Sequence, residues 1–206
     1  FTSHGFRYVE LSGYDADTYG ELTIDAVTGI VISSVQKELS HLETSNDDIN
    51  QLYKNMIWGM RGNMLSIPTD CPQRSERAGW TADTQVFART ALLTGDVGQF
   101  YANWMDALRF EQNTDGSYGD IAPTGGTFKY MGWVGDTGWS DAGIIVPYET
   151  WLATGDTKII KDNYESMKKY MAYLASTSTD NIRSAGKFTD WLAVDSQYTS
   201  LEIVGT

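Results

Sequence analysis

Hydrophobic and polar positions change their period once along this chain, near residue 46. Before that point, Phe6-Arg7-Tyr8-Val9-Glu10-Leu11 alternates apolar with polar side chains, the pattern of a half-buried strand. Residues 22–35 are rich in Ile, Val and Thr around Gly29 and predict one or two further strands with a turn or bulge. From Asn46 the spacing becomes three and four. Ile49, Leu52, Tyr53, Met56, Ile57 and Met60 fall on one helical face, with Ser45 or Asn46 placed to cap and Asp47-Asp48 in the first turn. Further helices are predicted over residues 81–93, 97–112, 139–153 and 158–174. Residues 113–138 are Gly-rich with few aliphatics, and a loop of that length inside a compact domain is usually functional or disordered.

Two helix ends share a motif, Ala91-Leu92-Leu93-Thr94-Gly95-Asp96 and Thr150-Trp151-Leu152-Ala153-Thr154-Gly155-Asp156. In each, the Gly is expected in left-handed backbone past a helix end, and the Asp is expected to cap the next helix. Such tight joints imply antiparallel neighbours, and a recurring hairpin points to a toroid or solenoid. An ordinary small α-domain would also accommodate two such joints. Residues 1 to about 39 hold too few strands for a sheet of their own, so they read as completing a β-domain.

Composition narrows the partners. The formal net charge is −12, which argues against nucleic acid or an anionic membrane surface. Aromatic residues make up 13% of the 206 residues, a high share that suits stacking on sugar faces as well as core packing. Cys71 is the only cysteine, and His4 and His41 lie far from the acidic segment described next. Neither a disulfide framework nor a Cys- or His-based metal site is expected. No apolar run is long enough for a transmembrane helix. The chain opens at Phe1 within a strand pattern and reads as an internal piece of a larger protein, whose remainder would be its partner.

The chemistry concentrates in residues 70–83, Asp70-Cys71-Pro72-Gln73-Arg74-Ser75-Glu76-Arg77-Ala78-Gly79-Trp80-Thr81-Ala82-Asp83. Pro72 and Gly79 make most of it loop. Carboxylates, guanidinium forks and an indole together suit glycoside hydrolysis, where one carboxyl gives a proton while others stay charged. A structural ion-pair loop would have the same composition. Glu76 is the candidate general acid: Trp80, four residues on, could wall it off from water and keep it protonated, whereas pairing with Arg74 or Arg77 would do the opposite. Asp83 falls in the first turn of a predicted helix, whose positive end would keep it ionised, and a capping role is the plain alternative. Trp80 and Asp83 are three apart and share a face, and Asp70 and Arg74 would complete a pocket able to hold a sugar diol.

This segment resembles the signature Asp-x-Pro-Gln-Arg-x-Glu-Arg-x-Gly-Trp-x-x-Asp of bacterial and fungal α-L-rhamnosidases, inverting glycoside hydrolases with an (α/α)6 barrel. The likeness extends along the chain. Phe1 through Glu10 is similar to the end of the β-domain that precedes that barrel, and Glu43-Thr44-Ser45-Asn46 to the barrel's start. Gly138-Trp139-Ser140-Asp141-Ala142 and Thr189-Asp190-Trp191-Leu192-Ala193 resemble two later motifs. Ser75 departs from the pattern, standing where the family usually carries an acid.

The resemblance implies a mainly α fold: residues 1–40 as the last strands of a β-domain, then residues 41–206 as the first half of the (α/α)6 barrel. It places the acid at Glu76 and implies that Asp70, Arg74, Trp80 and Asp83 contact rhamnose, with Trp139 and Trp191 as aromatic walls. Asp136, Asp141 and Asp190 are loop acids that could join the site. It implies a rhamnose-containing glycoside or polysaccharide as substrate and no cofactor. Inversion also needs a base on the opposite face of the sugar. The family's base is a later glutamate that no position here matches, and nothing marks out Glu202 for that role. Another (α/α)-barrel glycosidase or lyase, or a non-catalytic sugar-binding remnant, remains open at this point.

Overall fold

The computed structural model describes residues 3–125, 131–183, 186–188, 190, 191 and 194. Its helices are α1 (Ala16–Tyr19), α2 (Asp47–Asn63), α3 (Thr81–Thr94), α4 (Gly98–Phe110), α5 (Ala142–Thr154) and α6 (Thr157–Ser176), with a 3-10 turn at Ile24–Ala26. Two-residue strands β1 (Met64–Leu65) and β2 (Ile67–Pro68) form a small antiparallel hairpin. The five long helices fall where the three-and-four spacing predicts them. Asn46 caps α2, its side chain accepting from the N–H groups of Asp48 and Ile49.

The helices pack around α5. α3 packs on α5, α4 on α6, and α5 also contacts α4 and α6. Small residues permit the close approach: Ala88 and Ala91 of α3 and Ala142 of α5 are fully buried. Gly143 of α5 lies so near the Tyr118 ring that a Cβ there would stand 2.1 Å from the ring edge. Trp104, Met105 and Leu108 of α4, Val146 of α5 and Tyr170 of α6 share the core between these helices.

Two expectations are corrected. The strands predicted over residues 6–11 and 22–35 are not seen; among the described residues up to 32 only α1 and the 3-10 turn are regular. A strand exists only with a ladder partner, and the side chains that alternate here are exposed, Ile24 at 92% and Ile30 at 83%. The second correction concerns the joints. Gly155 is left-handed at φ 71°, and Asp156 caps α6 by accepting from the Lys158 N–H. Gly95 is instead extended at φ −140°, and Val97, not Asp96, occupies the cap of α4. The Gly95 joint is held by the segment before α2: the Leu39 N–H donates to Thr94 O at 2.9 Å and the Asp96 N–H to Lys37 O at 2.8 Å. A Cβ at 95 would lie 3.0 Å from both Met60 Cε and Val35 Cγ1, so these side chains would have to give way to admit one.

The Gly-rich stretch 113–138 is built into the body where it is described. Its residues 117–122 are buried, and it pairs with the start of α3 through a Trp80–Ile121 bridge and with itself through Gly119–Val134. It therefore lies over the N-terminal ends of α3 and α5, where the signature loop also ends. No helix among the described residues is long and apolar enough to cross a membrane.

Candidate active site

The signature loop is closed on itself before it reaches α3. The Asp70 N–H donates to Ala78 O at 3.0 Å, and the Ala78 N–H returns to Asp70 Oδ1 at 2.9 Å. Gly79 then presses flat against the neighbouring loop, where a Cβ would sit 2.1 Å from Ala122 O. That carbonyl is already engaged by Trp104 Nε1 at 2.8 Å. The loop is thus pinned at both ends, and residues 71–77 bulge outward between the pins.

Glu76 reaches back toward Asp70. Asp70, Cys71 and Glu76 each bring one ligand-type atom within 4.8 Å of the others. Burial works against charge on Asp70, but hydrogen bonds from the Cys71 thiol and N–H and from the Ala78 N–H, with a smaller contribution from the nearby Glu76 side chain, hold its carboxyl below the usual range. The same thiol–carboxylate bond pushes the Cys71 thiol up. These three groups satisfy one another, and nothing further marks them as a metal centre.

Trp80 meets Glu76 with its polar edge. Its Nε1–H donates to Glu76 Oε1 at 2.9 Å, so the apolar wall expected there is replaced by a hydrogen bond. The other oxygen of Glu76 pairs with Arg74, the alternative that the sequence left open. The Arg74 side chain is 61% exposed, and so open a pair is weak and easily exchanged. Asp83 behaves differently from the sequence expectation. Its side chain reaches solvent, yet crowding by protein pushes its carboxyl up, and the charges of Asp70 and Glu76 add to this. The helix start does not offset these causes.

A groove of about 400 Å³ lies between α2 and α3, with Met56, Met60, Phe87 and Tyr101 along its sides and Asp70 and Asp83 at its polar end. Glu76 and Trp80 do not line it, so the sequence-predicted residues are neighbours around a rim rather than four walls of one cavity. The other side of Trp80 faces rings. It stacks on Trp133 with centroids 5.3 Å apart, and Phe188 stands edge-on to both at 5.5 and 5.7 Å. Phe188 also meets Trp139 at 4.9 Å and Trp191 at 6.2 Å. Trp139 is 9% exposed and Trp191 64%. Trp139 and Trp191 thus join Trp80 through a ring that sequence reasoning missed, although Phe188 directly precedes the matched motif at 189–193. Trp133 was also missed; its Gly-Trp setting in the loop was the available signal. Of the loop acids, Asp141 is structural, accepting from the Tyr170 hydroxyl at 2.7 Å and the Gly138 N–H at 2.8 Å. Asp136 is buried and Asp190 exposed. Thr189, Leu192, Ala193 and Glu202 lie outside the described residues.

Helices packed around α5, with carboxylates and indoles gathered near the start of α3, define a helical domain with a candidate site at that end. Within that class, the chain belongs to the bacterial α-L-rhamnosidase six-hairpin glycosidase domain family, whose model matches residues 37–204. It is 43% identical over 192 residues to an α-L-rhamnosidase of Formosa agariphila, covering 93% of this chain and 20% of that protein. It is 38% identical to one from Streptomyces avermitilis over all of this chain and 19% of the relative. Among solved structures, it resembles the Streptomyces avermitilis α-L-rhamnosidase complexed with L-rhamnose at TM-score 0.74 and 39% identity, over 79% of this chain and 15% of the other. The native Aspergillus terreus enzyme matches at TM-score 0.83 and 34% identity, over 98% of this chain and 24% of the other. The chain spans about a fifth of the length of the curated relatives it matches.

Proposed function

We propose that this chain is part of an α-L-rhamnosidase that removes terminal α-L-rhamnose by single displacement with inversion. In this reading residues 1–40 close a β-domain, and residues 41–206 form the first half of an (α/α)6 barrel. Glu76 delivers the proton to the leaving oxygen. Asp70, Arg74 and Asp83 hold ring hydroxyls, and Trp80, Trp139 and Trp191 pack the sugar's apolar faces. The base that activates water stands in the remainder of the polypeptide. The observation that carries the reading is the pairing of Asp70 with Glu76 on one pinned loop, beside the Trp80 ring cluster, in a chain of this family. A bound rhamnoside would take over the exposed Arg74 fork, freeing one Glu76 oxygen to face the glycosidic bond.

In the complete polypeptide, Glu76→Gln is expected to lower kcat about 10²–10⁴-fold on a rhamnoside with a poor leaving group while rhamnose still binds. A second reading gives the proton to Asp83, because its carboxyl is the one pushed upward. Aryl rhamnosides of graded leaving-group acidity separate the two. The variant whose loss vanishes with the best leaving group, Glu76→Gln or Asp83→Asn, identifies the acid. Near wild-type turnover of Glu76→Gln on the poor leaving group would end its assignment.

A further inference from the structure

Behind the ring cluster lies a pair of acids that the proposed chemistry does not use. Asp120 is fully buried and Asp136 is 2% exposed. Each has one oxygen occupied. Asp120 Oδ1 accepts from Ser140 Oγ at 2.8 Å and the Asp136 N–H at 3.0 Å, while Asp136 Oδ1 accepts from the Lys187 N–H. The Oδ2 atoms of both are buried and have no hydrogen-bond donor among the described residues. The two carboxyl groups lie within hydrogen-bonding reach of each other, and burial, with Asp136 adding to it, pushes the Asp120 carboxyl up to about 6.

Among the described residues, the charged and titratable neighbours have other partners, apart from the buried Arg183 Nε, which has no acceptor among them. Arg183 donates to Gly135 O, to Thr137 Oγ1 at 3.0 Å and to the Tyr173 hydroxyl at 3.4 Å. Lys187 Nζ donates to Gly132 O at 2.9 Å. Tyr170 donates to Asp141, and Tyr118 to Ser166 Oγ at 2.8 Å. No ion pair among the described residues involves Asp120 or Asp136. Two buried acceptors on carboxyl groups within hydrogen-bonding reach, with no donor to either among the described residues, can be satisfied together by one hydrogen.

We infer that Asp120 and Asp136 share a single proton between their Oδ2 atoms, and that this carboxyl–carboxylate clamp is a positioning pair for the aromatic wall of the site. The main chain shows how the clamp acts on that wall. Asp120 O accepts from the Thr81 N–H and Thr81 Oγ1, both at 3.0 Å, which fixes the first turn of α3 next to Trp80. The Asp120 N–H donates to Trp133 O at 3.1 Å, which fixes the ring that stacks on Trp80. Asp136 ties in the approach to Trp139 and, through Lys187, the residue before Phe188. With the proton lost, two like charges stand in a buried site and the three segments separate. The sign follows from a carboxyl whose proton is held more tightly folded than unfolded: the clamp's contribution is complete below about pH 4 and is lost as the pH rises through about 6.

The inference about the wall's role in sugar binding rests on the proposed function, but the clamp itself can be read without substrate. In the complete polypeptide, amide hydrogen exchange corrected for intrinsic rates would be followed at residues 119–122 and 133–136 from pH 5 to 8. The wild type is expected to lose roughly tenfold in protection across this range. In Asp120→Asn or Asp136→Asn an amide N–H replaces the shared proton, so protection stays flat with pH and exceeds that of wild type at pH 8. The double Asn variant, with two amides facing, is expected to lose protection at every pH. Rhamnose affinity should follow the same limb in wild type and flatten in the single variants. If rhamnose does not bind at all, the proposed function fails while the exchange data still decide the clamp. Identical pH dependence in wild type and single variants would overturn the inference. So would a fall in wild-type protection at pH 5 on adding EDTA, because a cation would then be what joins the oxygens.

Discussion

The absence of one methyl group at position 79 allows the acid loop to sit where it does. Any side chain there would drive a Cβ to 2.1 Å from Ala122 O and 3.4 Å from Trp104 Nε1, breaking the contact that carries the loop into α3. Gly79→Ala is therefore expected to destabilise the folded polypeptide by about 1–3 kcal/mol in urea unfolding. It should also weaken rhamnose binding, because Asp70 and Trp80 flank the pin. A variant as stable as wild type would show that the loop has room to move. At this scale the gathering of the candidate residues was legible. Asp70, Arg74, Glu76, Trp80 and Asp83 fall within fourteen successive positions, so local spacing alone gathers them. What spacing could not give was the state of each group. The Trp80 indole turned its N–H to Glu76, and crowding outweighed the helix start at Asp83. Both depend on atoms contributed from elsewhere in the chain. Trp133 and Phe188 lie more than fifty residues beyond Trp80, and no local pattern links them.

The two Gly-Asp joints show the same limit one level up. Identical letters follow α3 and α5, yet only Gly155 is left-handed; Gly95 is extended because residues 37–39 run beside it. The consequence is testable by exchange to Asn, which tolerates left-handed backbone better than other non-glycine residues. Gly155→Ala is expected to cost about 1–2 kcal/mol and Gly155→Asn clearly less. Gly95→Asn should cost more than Gly95→Ala, since bulk against Met60 and Val35 is what matters there. Thermal unfolding of the four variants would check the ordering, and the same ordering at both joints would contradict it. The helices themselves were readable because their period needs no partner to be seen. The strands of residues 6–11 and 22–35 were not secure, because alternation specifies a face and not the neighbour that must cover it.

On the scale of the whole chain, apolar side chains remain open on several helices: Val86 at 77% and Leu93 at 61% on α3, Leu52 at 68% and Trp58 at 54% on α2. The curated relatives are about five times longer, and in the proposed barrel such faces are where further hairpins would stack. Residues 1–206 expressed alone are expected to self-associate by light scattering and to show no turnover of an aryl α-L-rhamnoside. A stable monomer with Glu76-dependent hydrolysis would place both catalytic carboxyls within this chain. The suture at Gly95 has a mechanical meaning at this scale. α3 is a rod of 14 residues, about 21 Å long, with Asp83 in its first turn and the Leu39 and Asp96 backbone bonds at its far end. The segment at residues 37–39 thus holds the opposite end of the rod that carries Asp83, the acid proposed to hold the sugar. A displacement of residues 37–39 would therefore act on Asp83 from the far end of a stiff element, not through the acid loop.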